Sequence, residues 1–180
     1  MKKTLCRVLT LALLAALVPC APCAAAETAA AGAQGNSPLL FVIERSKNAN
    51  IVRYEANLKP DGSLDPKKPV VAYWLMLAKD GRRKKLNWIE KKKAYGIKAK
   101  PDALQSGYIL TLAAARKIKL FVRNTGNTVR AEAVINGRPA ILEKIFIKSH
   151  ARLFGPKVDY MELYGKDPLT GESVSEKIVP

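Results

Sequence analysis

The chain has 180 residues and carries 31 Lys and Arg against 15 Asp and Glu, a formal net charge of +16. That length fits one domain with a real hydrophobic core, and that charge favours anionic partners without deciding the fold. A single His and three Cys leave thiolate, zinc and imidazole chemistry poorly supplied.

Lys2, Lys3 and Arg7 make a positive start, Val8 to Val18 form a short greasy run, and Ala24-Ala25-Ala26 make a small-residue exit. This is the pattern of a secretory signal peptide over residues 1–26. The apolar run is too short to span a hydrocarbon core of ~30 Å as a helix. Cys20 and Cys23 each follow a proline, which argues against a lipoprotein site. Cleavage after Ala26 removes Cys6, Cys20 and Cys23, so the exported chain is expected to hold no thiolate, disulfide or Cys-based metal site. Three cations leave with the leader, so the mature charge is about +13. The expected address is the periplasm or the exterior, where nucleic acid is not a partner. Anionic phospholipid, lipopolysaccharide and acidic wall polymer are.

Residues 27–37, "ETAAAGAQGNS", read as a flexible leader. From residue 38 to 180 the chain reads as one β-rich domain. "LLFVIER" and "NIVRYEANL" are strand-like, the second by alternation of Val52, Tyr54 and Ala56 with Arg53, Glu55 and Asn57. "PVVAYWLML" is apolar on both faces and reads as a central strand. Arg82 to Lys85 read as a loop. "LNWIEKKKAYG" is a short helix, capped by Asn87 with Glu90 three residues on and closed by Gly96. On an α-helical wheel Trp88 and Tyr95 fall on one side, and Leu86 and Ile89 on the other.

"YGIKA" and "GYILTL" follow as strands, then "KIKLFVR", "TVRAEAVI" and "RPAILEKIFIK". Asn136-Gly137 between the last two is a type I′ hairpin signal, because both central residues need positive φ. Pairing outward sets Ala133 opposite Ala140, but then Val129 meets Lys144, so a β-bulge near Glu143 to Ile145 is required. With "KVDYMELY" the count reaches about eight or nine strands. The expectation is an antiparallel meander forming a barrel or a two-sheet sandwich.

Arg82, Arg83, Lys84 and Lys85, with Lys91, Lys92 and Lys93, are the candidate anion-binding residues. Tyr54, Trp74, Trp88 and Tyr95 are the candidate ligand-contact aromatics. The first two would line a barrel interior, unless they simply pack its core. No catalytic set, metal set or cofactor motif is expected. A Ser-His-Asp arrangement would have to use His150, whose neighbour Ser149 points to the other strand face, so His150 reads as structural. Asp159 and Glu162 also fall on opposite faces. Asp61 and Asp65 miss calcium-loop spacing and read as turn residues.

"FVIERSKNANIVRYEANL", "PKKPVVAYWLML", "LNWIEKKKAYGIK" and "RAEAVINGRPAILEKIFI" together resemble the exported bacterial family known as domain of unknown function 4833. The resemblance covers Leu39 to the C-terminus. It implies a single exported module and supplies no activity, ligand or catalytic residue.

The function expected is a non-enzymatic exported binding module for an anionic or lipidic envelope ligand. An envelope structural or protein-interaction module is the alternative, and an enzyme working through scattered carboxylates, lysines or Tyr54 and Tyr73 is the third class. After processing, no transmembrane segment is expected.

Overall fold

Alternating apolar and solvated side chains draw more than half of residues 37–153 and 157–179, the residues described by the computed structural model, into strands. The expected signal peptide, its three cysteines and nearly all of the expected leader lie outside the described residues. Among those described, eleven strands form. They are β1 (Leu39–Arg45), β2 (Asn48–Ala56), β3 (Val70–Leu75), β4 (Arg83–Lys85), β5 (Ile97–Pro101) and β6 (Gly107–Leu112), then β7 (Lys119–Asn124), β8 (Val129–Ile135), β9 (Arg138–His150), β10 (Lys157–Lys166) and β11 (Ser173–Ile178). Between β4 and β5 lies the one short helix, α1 (Trp88–Glu90), which continues into a π turn over Lys91–Tyr95.

Nine strands run in the order β4-β3-β2-β1-β9-β8-β7-β6-β5, a curled half-barrel, with β10 and β11 added beyond β9. The sheet is antiparallel apart from β1 and β9, which run parallel with Ile43 beside Ile145. Strand β9 is the hub. Its first residues pair with β8 and its later ones with β1, while β10 covers the other edge along most of its length. Two strands were not foreseen. β4 was expected to be a loop, since three successive cations carry no alternation. At an edge, however, a strand needs only backbone pairing on one side, and all three of its side chains stay in water. β11 has no large apolar run, because it too is an edge strand with alternate residues half-buried. β3 is therefore one strand in from the edge, between β2 and β4.

The hairpin forms as its turn chemistry dictates: Asn136 and Gly137 have φ of 50° and 75°, and Ala133 faces Ala140. The irregularity expected near Glu143 is present on the β10 side. There Tyr164 pairs with Lys144 and Gly165 with Leu142, which leaves Glu143 without a partner. That extra residue lets Leu142 and Ile145, three apart, both point inward and be buried. The concave face holds one apolar core, in which Phe41, Tyr54, Leu110, Leu120, Ile135 and Leu163 are fully buried. At ~25 cal/mol per Å² of apolar area, each such side chain contributes about 1.5–3 kcal/mol before entropy is counted.

Candidate anion-binding surface

The basic stretch begins with a well-made helix start. The Asn87 side chain accepts from the Glu90 N–H at 2.8 Å, and the Glu90 carboxylate accepts from the Asn87 N–H at 2.8 Å, a reciprocal capping box. The backbone then widens into the π turn and stops at Gly96. Gly96 has φ −66°, so its use is not left-handed geometry. Space is the reason: a Cβ there would lie 1.9 Å from the Lys91 carbonyl oxygen.

The π turn changes which side chains face inward. Each residue in it advances less around the axis than in an α-helix, so Trp88 and Tyr95 do not share a side as the α-helical wheel requires. Trp88 is 69% exposed and Tyr95 only 7%. Tyr95 fastens the segment to one arm of the half-barrel. Its carbonyl accepts from the Tyr54 hydroxyl at 2.9 Å, and its ring meets Trp74 edge-on at 5.1 Å. The other arm is held by Ala113 N–H to Gly96 O at 2.9 Å and Ala114 N–H to Ala94 O at 3.2 Å. The helical segment thus bridges the two arms, with Leu86 buried beneath it and Ile89 half in water.

All seven cations singled out in the sequence are exposed, on either side of Trp88 and Ile89 along the chain. They do not share one role. Arg83 lies 4.5 Å over the Tyr73 ring and 3.5 Å from Glu55, a carboxylate only 4% exposed. Glu55 also accepts from the Tyr73 hydroxyl and sits 3.4 Å from Arg53. Burial, then the hydrogen bond and charge of Glu55, push the Tyr73 phenol up to about 12. Arg83 therefore helps hold β4 down. Arg82 lies 3.7 Å from Asp80, both well exposed. Lys84, Lys85, Lys91, Lys92 and Lys93 make no ion pair with any carboxylate among the described residues.

Three of the four candidate aromatics are core. Tyr54 stacks on Phe41 with ring centroids 4.3 Å apart, and burial holds its phenol well above the usual range. Trp74 and Tyr95 belong to the same apolar cluster. These rings pack within the core on the concave face. Trp88 is the exposed member of the set.

Sequence reasoning passed over Arg45. It ends β1 in phase with Phe41 and Ile43, a parity that could have placed it on the core face. Its Cζ lies 4.5 Å over Trp74 and 5.8 Å over Tyr95.

The other polar residues singled out in the sequence are engaged by local partners. His150 Nδ1 lies 2.6 Å from an Asp159 oxygen, and its Nε2 accepts from Arg152 at 3.2 Å. The guanidinium can only donate, so the Nδ1 proton faces Asp159 and both ring nitrogens are engaged. Asp61 accepts from the Ser63 hydroxyl and N–H, and these bonds, with Lys59, lower its pKa to about 2. Asp65 accepts from the Lys67 N–H at 2.8 Å. Both are turn residues. An open cleft of about 520 Å³ beside the Glu143 bulge is lined by Lys144, Tyr164, Ser173 and Ser175. Among the described residues no cluster of His, Cys, Asp or Glu could hold a metal ion, and no helix is long and apolar enough to cross a membrane.

Comparison with curated proteins and with solved structures finds no match. The model of one family, described as Domain of unknown function (DUF4833), matches residues 41–177. With most of its length matched, the chain belongs to that family.

Proposed function

We infer that the protein is an exported, non-enzymatic binding module whose basic edge settles on an anionic envelope surface of phospholipid or lipopolysaccharide. One observation carries the reading: Trp88, 69% exposed, and Ile89, 49% exposed, stand among five lysines without carboxylate partners. Taking a large aromatic ring out of water is favourable, so Trp88 is stabilised when a surface covers it. Trp is suited to the boundary between headgroups and acyl chains, and lysines beside it meet the phosphates. The capping box and the Tyr54–Tyr95 bond hold this edge in place before any ligand arrives. Association then costs little ordering.

The test is co-sedimentation with vesicles containing phosphatidylglycerol at low and moderate salt. Each cation near an anionic surface contributes about 1 kcal/mol. Replacing Lys91, Lys92 and Lys93 with Gln is therefore expected to weaken binding by about 100-fold at low salt. Arg83 is left in place because it stacks on Tyr73. Trp88→Ala weakens binding at all salt concentrations, since its contribution is apolar. Wild-type protein that stays in the supernatant at moderate salt would sink the reading. A second reading, docking on an envelope protein, is favoured by β11, whose outer edge pairs with no other described strand. A protein partner would bind without dependence on Lys91 to Lys93.

A further inference from the structure

Arg45 stands in an unusual electrostatic position. Its guanidinium lies over Trp74 and Tyr95 at the end of the core face, and among the described residues it forms no ion pair. Its Nε is enclosed and has no acceptor, and its Nη2 makes one long contact, 3.4 Å, to the Asn48 side chain. A cation drawn from water onto apolar rings has lost hydration that a counter-charge would restore. Among the described residues the other half-buried arginines each have a carboxylate: Arg53 has Glu55, Arg123 holds Asp102 at 2.6 Å and Arg130 holds Glu132 at 2.7 Å, although the Nε atoms of Arg53 and Arg123 also lack a hydrogen-bond partner. Arg45 alone in this group has none.

Its neighbours are donors too. The Tyr95 hydroxyl oxygen accepts from the Arg45 guanidinium, and its O–H has no acceptor among the described residues; the Tyr95 atom that accepts from Tyr54 is its backbone carbonyl. Lys84 faces Trp74 across the β3–β4 ladder, so its ammonium leaves the sheet on the same face. Lys84 is exposed and has no carboxylate partner among the described residues. Guanidinium and phenol thus lie beside Trp74, and Lys84 is its cross-strand neighbour. A phosphate, with several oxygens in tetrahedral arrangement, can accept from donors that are not coplanar, whereas a carboxylate presents two oxygens in one plane.

We propose that Arg45, with Lys84 and the Tyr95 hydroxyl, forms a phosphate seat over Trp74 at the rim of the half-barrel. The seat deepens the anionic-surface reading, and rests on it for the source of the phosphate: a lipid headgroup is one source, free phosphate the other.

The sequence holds two tryptophans, so Trp88→Phe leaves Trp74 as the sole indole reporter. In that background, Trp74 emission is followed while inorganic phosphate replaces chloride at constant ionic strength, and separately on adding phosphatidylglycerol vesicles. A saturable response is expected in at least one titration. A response to inorganic phosphate assigns the seat to free phosphate, and one to vesicles alone assigns it to the headgroup. Arg45→Met, which keeps a straight apolar stem over the ring, is expected to weaken the response at least tenfold. Arg138→Met, which removes an equal charge at the far end of β9, leaves it as in the parent. If Arg45→Met does not fold, Arg45→Lys keeps the charge, loses the fork and is expected to weaken the response at least threefold. No response to either probe, or Arg45 variants that respond as the parent does, would overturn the seat. Protein that pellets with vesicles while Trp74 stays silent retains the surface reading and removes the seat. A Trp74 response to inorganic phosphate without any pelleting does the reverse.

Discussion

Tyr54→Phe removes one oxygen atom from the hydrogen bond that ties the basic segment to β2. The ring stays, so the stack on Phe41 at 4.3 Å and the apolar burial are kept. What is lost is the donor to the Tyr95 carbonyl, 2.9 Å away in a buried setting. A buried acceptor left without a donor costs about 1–3 kcal/mol. The phenol's own desolvation is relieved, so the net expectation is a loss of about 1–2 kcal/mol. For a domain of this size that lowers the melting temperature by about 3–6 °C. Urea denaturation followed by far-ultraviolet circular dichroism measures it, with an unchanged slope showing that only stability has moved. Tyr108→Phe, at a half-buried tyrosine with no side-chain bond to the described residues, is the comparison and is expected within about 0.5 kcal/mol of wild type. If Tyr54→Phe is as stable as the parent, the segment is not held by this bond and the case for a preformed basic edge weakens.

Gly96→Ala is expected to destabilise by more than a simple Gly-to-Ala exchange would. Its Cβ meets the Lys91 carbonyl at 1.9 Å, so the π turn must open. A loss above about 2 kcal/mol in the same denaturation assay is the expected result, and a neutral variant would show that the turn is not tight. Above pH 10 stability falls, because unfolded tyrosines ionise there while Tyr73 stays protonated to about 12. The contribution is complete below pH 10 and declines as pH rises toward 12. The slope from Tyr73 has a ceiling of about 1.4 kcal/mol per pH unit, reduced by solvent screening at the sheet surface. Tyr73→Phe is expected to flatten the curve between pH 10 and 12, and equal slopes would refute the assignment. The Asp61 carboxyl is expected to titrate near 2 by carbon-13 NMR. Because the Ser63 hydroxyl is the main cause of that low value, Ser63→Ala should move the midpoint up.

Family membership brings no activity with it, so function must be sought in single side chains. Trp88 and Arg45 are the two that carry it. One is an apolar ring left in water and the other a cation left over apolar rings. Each lacks the partner that its chemistry calls for. The lysines alone would not decide the matter, since a run of charge is most often a solvated face.

Local chemistry was legible without a structure. Asn136-Gly137 can turn a hairpin because both residues accept positive φ. The Asn87–Glu90 box starts a helix because its two bonds close over four residues. A residue count that puts both Leu142 and Ile145 inside demands a bulge. These are consequences of nearest-neighbour geometry, and sequence encodes them directly. Alternation likewise says which side chains share a face, but not which strand lies alongside. Only the folded chain decided that β1 runs parallel to β9, that three cations make β4, and that Glu55 is buried beneath Tyr73 and Arg83. The sharpest case is the segment from Trp88 to Tyr95. A wheel drawn at ~100° per residue puts both rings together, whereas the π turn, packed against Tyr54 and Trp74, turns one into the core and the other into water. Helical period at such a short segment is set by what it packs on, and those partners, Trp74 and Tyr54, lie about twenty and forty residues away in the chain.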